Sequence, residues 1–359
     1  MPSLRINIIL PFPVTKPVGG AKVMYEFANR LQALGHQVTV LHSLKRPFKT
    51  MRSPLWFKRF LFWIRGAQRP RWFPLHASCR SLIVKEIIDP FVPDGDLVLS
   101  TWWQMSYAVA TLSPQKGVRI NLVQDFEQWS GSVESVKDSY RLPLHHVAIS
   151  RWLQELIQTE RGEPVQLLPL AIDTDRFYQR TAPAERFPFS VIALYSEEKR
   201  KGSVFLLAAL EQLKQEFPTL QATLFGVYTR PPQLPNWIDY HQRPQDLATL
   251  YNAHAVFMSA SLGEGWALPP AEAMASGCAV VCTAIGGHAD YAIQEQTALL
   301  VPPQEATALA AAAARLFNEE SLRCRLATEG RQWITTRYQW DRSVSTLLAY
   351  YAAYQKQYL

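Results

Sequence analysis

Short apolar runs alternate with amphipathic stretches along the chain. Residues 6–10 form an apolar run of the kind that becomes a strand buried on both faces. A loop with Pro11, Pro13, Pro17, Gly19 and Gly20 follows. Val23, Phe27, Leu31 and Leu34 then recur at helical spacing, which predicts a helix over 21–34, ended by Gly35-His36. Residues 38–41 read as the next strand. A strand–loop–helix–strand unit predicts a parallel sheet. Further strands are expected at 97–100, 120–123 and 147–150, and a helix at 152–160. Residues 169–188, with Pro169, Asp173, Asp175, Pro183 and Pro188, read as a linker. The rhythm then restarts. Strands at 189–194, 221–225, 255–258 and 279–282 alternate with helices at 203–217, 244–253, 270–276 and 305–317. A last helix, aromatic on one side, is expected over 340–358. The economical architecture is α/β, with two Rossmann-like domains in tandem. We expect the first over 1–180, the second over 181–337, and a helix at 338–359 packing back on the first.

Composition narrows the class. The 359 residues are 48% hydrophobic and 19% charged, which is globular composition, and the length suits two domains. The formal charge of +7 is local. No acidic residue lies between Glu26 and Glu86, while residues 27–85 carry twelve Lys and Arg. The remainder holds 25 basic and 30 acidic residues, a net of −5. That weakens a nucleic-acid role, and no recognition motif accompanies the basic stretch. Residues 45–71 mix nine cations, Arg52 among them, with Trp56, Phe57, Phe60, Phe62 and Trp63. Phe57, Phe60, Leu61 and Ile64 fall at helical spacing, with Lys58, Arg59 and Arg65 offset. Two readings stand: a cationic amphipathic segment facing an anionic membrane or a lipid-diphosphate acceptor, or a solvated helix packed on the first domain. No apolar window is long enough to span a bilayer, and the opening run is too short for a secretory signal. Cys79, Cys278, Cys282 and Cys324 form no metal-binding spacing. The expected place is the cytoplasm, free or peripheral on the inner face of the membrane, with no metal.

The candidate chemistry concentrates in Ser261-Leu262-Gly263-Glu264-Gly265-Trp266-Ala267-Leu268-Pro269-Pro270-Ala271-Glu272. A glycine-rich loop enters a helix with proline in its first turn, and Gly277 follows as its stop. Such a loop presents backbone N–H groups and a helix N-terminus, an anion site suited to a pyrophosphate. Glu264 and Glu272, eight residues apart, flank it. They suit recognition of sugar and ribose hydroxyls. Alternatively Glu272, placed in the first turn, only complements the helix dipole.

This segment resembles the Glu-x7-Glu signature of retaining, GT-B-fold glycosyltransferases of family four, glycosyl transferases group 1. Other matches run in order. Gly19-Gly20 with the following helix resembles that family's first loop. Lys201-Gly202 resembles its donor-phosphate lysine. Gly286-Gly287 with Asp290 resembles its Gly-Gly-x-x-Glu loop, and 170–177 its interdomain segment. The resemblance covers nearly the whole chain. It implies that Glu264 contacts the donor sugar and Glu272 the ribose. Amides around Gly265, Trp266, Ala267 and Leu268 hold the pyrophosphate, and Lys201 neutralises it. Gly19 and Gly20 let backbone approach the donor phosphate. The family's arginine six residues before the lysine is Tyr195 here, with Lys199 or Arg200 as stand-ins. Its donor-contacting histidine is absent; Asp125 or Gln124 takes that place. Gln124-Asp125-Phe126-Glu127 resembles a bacterial surface-polysaccharide subgroup that includes rhamnosyltransferases.

The implied reaction moves a sugar from a nucleotide-sugar to a glycan or lipid-linked acceptor, with retention. The nucleotide-sugar is a substrate, so no cofactor is expected. The departing phosphate accepts the acceptor's proton, and no side-chain base is assigned. Asp173-Thr174-Asp175 has a metal-binding spacing but lies in the linker, so we read it as structural. A non-catalytic or epimerase-like nucleotide-sugar-binding protein is the alternative. A dinucleotide oxidoreductase is disfavoured because Val18-Gly19-Gly20-Ala21 does not supply Gly-x-Gly-x-x-Gly.

Overall fold

The computed structural model describes residues 2–49, 53–65 and 68–356. The chain divides into two compact units, Met1–Pro169 with Asp341–Leu359, and Leu170–Trp340. Each unit is built on one parallel sheet. In the first, β1 (Arg5–Leu10), β2 (Gln37–Ser43), β3 (Arg80–Val84), β4 (Leu97–Thr101), β5 (Val118–Val123), β6 (His145–Ala148) and β7 (Gln166–Leu167) lie in the order β3-β2-β1-β4-β5-β6-β7. In the second, β8 (Ser190–Leu194), β9 (Gln221–Gly226), β10 (Ile238–Gln242), β11 (Val256–Ser259), β12 (Ala279–Thr283) and β13 (Leu299–Val301) lie in the order β10-β9-β8-β11-β12-β13.

The central strands follow from their apolar runs. In β1 every residue after Arg5 is buried, and Ile6 and Ile8 pair with Val38 and Val40 of β2. Helices cover such a sheet on both faces, so no alternation survives. The second core joins Val191 and Ala193 of β8 to Leu206, Leu210 and Leu213 of the helix Ser203–Glu216.

Four strands lack a signal in the sequence: β3, β7, β10 and β13. All four are edge strands. An edge is covered less completely, so Arg80 and Asp239 are tolerated there and the apolar run is broken. The helices Trp103–Ala110, Val133–Tyr140 and Glu320–Arg337 were equally illegible. The last is largely polar and buries only Leu322, Arg323, Leu326, Ala327, Gly330 and Ile334.

Boundaries shift where capping decides them. Asp246 accepts a bond from the Thr249 amide at 3.1 Å, so that helix spans Leu247–Asn252, inside the expected 244–253. Residues 170–188, expected as a linker, belong to the second unit. Buried Arg186 ties them down by donating to the carbonyls of Tyr251 (3.3 Å), His254 (3.0 Å) and Ser276 (2.6 Å). These carbonyls close the helices Leu247–Asn252 and Leu268–Ala275, where a cation is favoured. Within the turn Asp173-Thr174-Asp175, the Asp173 carbonyl accepts the Phe177 amide at 2.8 Å.

The final helix, Trp340–Gln355, returns to the first unit, while Tyr358 lies outside the described residues. Ser343 donates to the Pro169 carbonyl at 2.6 Å and Tyr350 to that of Leu167 at 2.8 Å. The Tyr354 ring stacks on His145 at 3.7 Å. No helix among the described residues is long and apolar enough to cross a membrane.

Candidate functional site

Strand order reverses once in each sheet. Open parallel sheets bind ligands at such a point, beyond the carboxyl ends of the two strands. In the second unit the reversal falls between β8 and β11. The loop after β8 carries Lys199-Arg200-Lys201, and the loop after β11 carries Ser261 to Ala267. One backbone bond ties the loops: the Leu262 amide donates to the Arg200 carbonyl at 2.7 Å. Gly202 makes this approach possible. Its φ is +63°, and a Cβ there would overlap the carbonyl oxygen of Ala260.

Glu264 is the centre of the cluster and is only 8% exposed. The Lys201 ammonium donates to both its oxygens, at 2.6 and 2.9 Å. Ser261 donates to it at 2.9 Å and Arg200 at 3.3 Å. Arg200 also donates to Glu198 at 2.9 Å. Burial alone pushes the Glu264 carboxyl up; Lys201 and Arg200 overcome that and hold it below its ordinary value. The ammonium has three donors and Glu264 takes two, which leaves one for a further acceptor. Gly287 closes the far side, where a Cβ would overlap Glu264. His288 beside it donates through Nδ1 to the Thr283 carbonyl at 2.7 Å, and burial lowers its pKa. Ser261 and His288 belong to the cluster, but neither residue type nor spacing marked them in the sequence.

The helix after this loop spans Leu268–Ala275. A helix start leaves four amides open. Here Pro269 and Pro270 have none, and the Ala267 amide donates to the Gly287 carbonyl at 3.2 Å. The Ala267 amide is thus spent within the protein, and of the helix start it is Leu268 whose amide is left to offer. Gly265 and Trp266 are buried in the loop. Glu272 is the fifth helical residue, not part of the first turn, which holds no acidic residue. Dipole complementarity falls off beyond that turn. Glu272 is buried, and the Tyr251 hydroxyl donates to it at 3.4 Å.

Of the two stand-ins for the missing arginine, Arg200 reaches Glu264 while Lys199 is exposed. Tyr195 is buried, with its ring edge-on to Tyr240 at 6.1 Å.

In the first unit the reversal falls between β1 and β4. Gly19 and Gly20 open the helix Gly19–Ala33, which no side chain caps. Gln124, at the end of β5, donates to the Gly20 carbonyl at 3.1 Å and to Thr101 Oγ1 at 3.0 Å. Asp125 instead accepts from the neighbouring Phe126 amide at 2.9 Å. Of the two candidates, Gln124 is the one set against Gly20. Glu127 accepts from the Trp103 amide at 2.7 Å. Trp102 has φ +80°, a strained value for a bulky residue. Its ring lies edge-on to Phe12 at 5.9 Å, and the Arg46 guanidinium sits 5.1 Å from the Phe12 centroid. Among the described residues no group of three or more His, Cys, Asp or Glu is placed to hold a metal.

Residues 189–319 match the model of the family described as glycosyl transferases group 1. The likeness to glycosyl transferases group 1 thus rests on a segment of the second unit. A D-inositol 3-phosphate glycosyltransferase of Corynebacterium urealyticum is 32% identical over 108 residues, 30% of this chain and 25% of that one. A glycogen synthase of Mycobacterium tuberculosis is 27% identical over 187 residues, 48% of this chain and 44% of that one. The match thus spans a quarter of the first relative and under half of the second. Among solved structures, sucrose-phosphate synthase from Thermosynechococcus elongatus aligns with TM-score 0.71 at 18% identity, over 97% of this chain and 98% of that one. Anabaena HepE, solved with UDP-glucose, aligns with TM-score 0.71 at 14% identity, over 99% and 100%. The architecture is the α/β GT-B fold, with two Rossmann-like sheets.

Proposed function

We propose that the chain is a glycosyltransferase that moves a sugar from a nucleotide-sugar donor to a glycan or lipid-linked acceptor, with retention and without a metal. The observation that carries this is the Lys201–Glu264–Arg200 cluster at the strand reversal of the second sheet, inside the segment that matches the family model. The donor diphosphate takes the remaining Lys201 donor and the Leu268 amide; Glu264 accepts from sugar hydroxyls and Glu272 from the ribose. The bond from the anomeric carbon to the phosphate oxygen breaks while the acceptor oxygen bonds to the same face of that carbon. The departing phosphate oxygen takes the acceptor's proton, so no side-chain base is needed. Lys201 stabilises the charge that develops on the diphosphate. A fixed donor of this kind is worth about 10²–10³ in turnover.

We assign the acceptor to the first unit, at the aromatic faces of Phe12 and Trp102, and give Gln124 the donor-sugar contact of the family's histidine. A role in surface-polysaccharide or glycolipid synthesis in the cytoplasm is supported by the resemblance carried by Gln124-Asp125-Phe126-Glu127, and a rhamnosyltransferase-like specificity rests on those residues alone.

The test is a panel of sugar nucleotides read by release of nucleoside diphosphate. Release with one donor, lost in Glu264→Ala and Lys201→Ala, is the expected result. Tight nucleotide binding with no release from any donor would identify a binding protein instead.

A further inference from the structure

No residue of the helix Leu55–Ile64 is buried. Trp56 and Trp63 are each 71% exposed, and Phe57, Phe60 and Ile64 are exposed as well. At the helical step, Trp63, Trp56, Phe60, Ile64 and Phe57 fall within an arc of about 120°. Arg59 borders that arc on one side; Leu61, then Arg65 and Lys58, follow on the other. Among the described residues, the rings of the arc contact one another: Trp56 meets Phe57 at 5.8 Å and Phe60 stacks on Trp63 at 6.3 Å. The aromatic arc is therefore not packed on the first unit, while Leu55, Leu61 and Phe62 on the rest of the helix are half-buried. Five large apolar side chains stand in water with cations at both borders.

Charge decides what covers them. No acidic residue occurs between Glu26 and Glu86, so a second copy of this stretch would meet like charge. A bilayer bearing anionic lipid supplies the opposite charge and an apolar layer in one surface. Tryptophan favours that interface, because its ring is amphipathic. An amphipathic helix with a cationic border lies flat there, its apolar arc buried at the headgroup boundary.

We propose that the helix Leu55–Ile64 is a membrane-docking element, which inserts Trp56, Phe60 and Trp63 into an anionic bilayer and sets Lys58, Arg59 and Arg65 against lipid phosphates. Arg52 lies outside the described residues and takes no part in the argument. The docking stands whether or not the transferase reading does. If both hold, the acceptor is a lipid-linked glycan met at the bilayer surface.

The experiment is co-sedimentation of the full chain with vesicles of phosphatidylcholine alone and with added phosphatidylglycerol. The unaltered protein sediments with the anionic vesicles and stays in solution with the neutral ones. The triple variant Trp56→Ser, Phe60→Ser, Trp63→Ser loses at least roughly tenfold in partition. The triple variant Lys58→Gln, Arg59→Gln, Arg65→Gln loses about a hundredfold at low salt, and its residual binding no longer responds to salt. Neither variant changes nucleoside diphosphate release from a soluble donor, which separates failure of docking from failure of the catalytic reading. Equal binding to neutral and anionic vesicles would overturn the proposal. So would partition unmoved by the aromatic variant, or vesicle-independent self-association that the aromatic variant abolishes.

Discussion

The two strand reversals have the same topology and opposite chemistry. In the second unit the loops beyond β8 and β11 bring Lys201, Arg200 and Glu264 within hydrogen-bond reach of one another. In the first, the loops beyond β1 and β4 bring the rings of Phe12 and Trp102 together with the Arg46 guanidinium over them, and Gln124 beyond β5 reaches the Gly20 carbonyl. The helix starts differ in the same sense. Gly19–Ala33 begins with glycines and no side-chain cap, whereas Leu268–Ala275 carries two prolines after Leu268 that donate nothing. Where backbone donors are scarce, side-chain cations are supplied. A parallel sheet thus fixes where a ligand goes, and its loops decide which side-chain chemistry that ligand meets.

The largest expected break of this contrast is Lys201→Gln. Donor turnover falls about 10²–10³-fold in a steady-state assay. Denaturant unfolding of the second unit also loses about 3–5 kcal/mol, because Glu264 is left buried without its main partner. Gly202→Ala comes next. It forces a side chain to a positive φ against the Ala260 carbonyl, at about 3 kcal/mol in the same unfolding assay.

Acid sharpens the comparison. Burial lowers His42 and His145 of the first unit to about 4 and His146 to about 3. A group depressed in the folded state binds its proton more readily when unfolded. Its stabilisation is complete above pH 6.5 and is lost as pH falls from there toward the folded values. Stability should decline by about 1.4 kcal/mol per pH unit for each such histidine. His254 and His288 act in the same direction in the second unit. Glu264 adds its own loss only below its ordinary value of 4.5, as pH falls through its lowered folded value. Unfolding followed by tryptophan fluorescence across pH 7 to 3 checks the order, with the histidine window first.

The smallest effect belongs to Gln124→Leu. It removes two bonds at the first crevice, costs about 1–2 kcal/mol in thermal unfolding, and leaves affinity for the nucleoside diphosphate unchanged. Asp125→Asn should do less, since Asp125 accepts from the adjacent Phe126 amide.

Much of the fold was legible because the central strands are buried on both faces, so Ile6 to Leu10 and Ala279 to Cys282 read as unbroken apolar runs. Edge strands such as β10, Ile238–Gln242, carry polar residues and leave no such run. At the site, Glu264 and Glu272 stand out in the sequence by their glycine-rich loop and spacing, and Lys201 only through the family resemblance. The capture of the Ala267 amide by Gly287 was not, because it depends on two loops far apart in sequence. The same holds for Arg186, which looked like one more linker residue until the carbonyls of Tyr251, His254 and Ser276 converged on it.

The central claim is that the second crevice holds the donor through its diphosphate. Titration calorimetry of nucleoside diphosphates against the matching monophosphates tests it directly, with the unaltered chain and with Lys201→Gln. The diphosphate should bind at least roughly tenfold more tightly than the monophosphate, and Lys201→Gln should erase that difference while Gln124→Leu preserves it. Equal affinity for the two nucleotides, or a preference that survives Lys201→Gln in folded protein, would contradict the account.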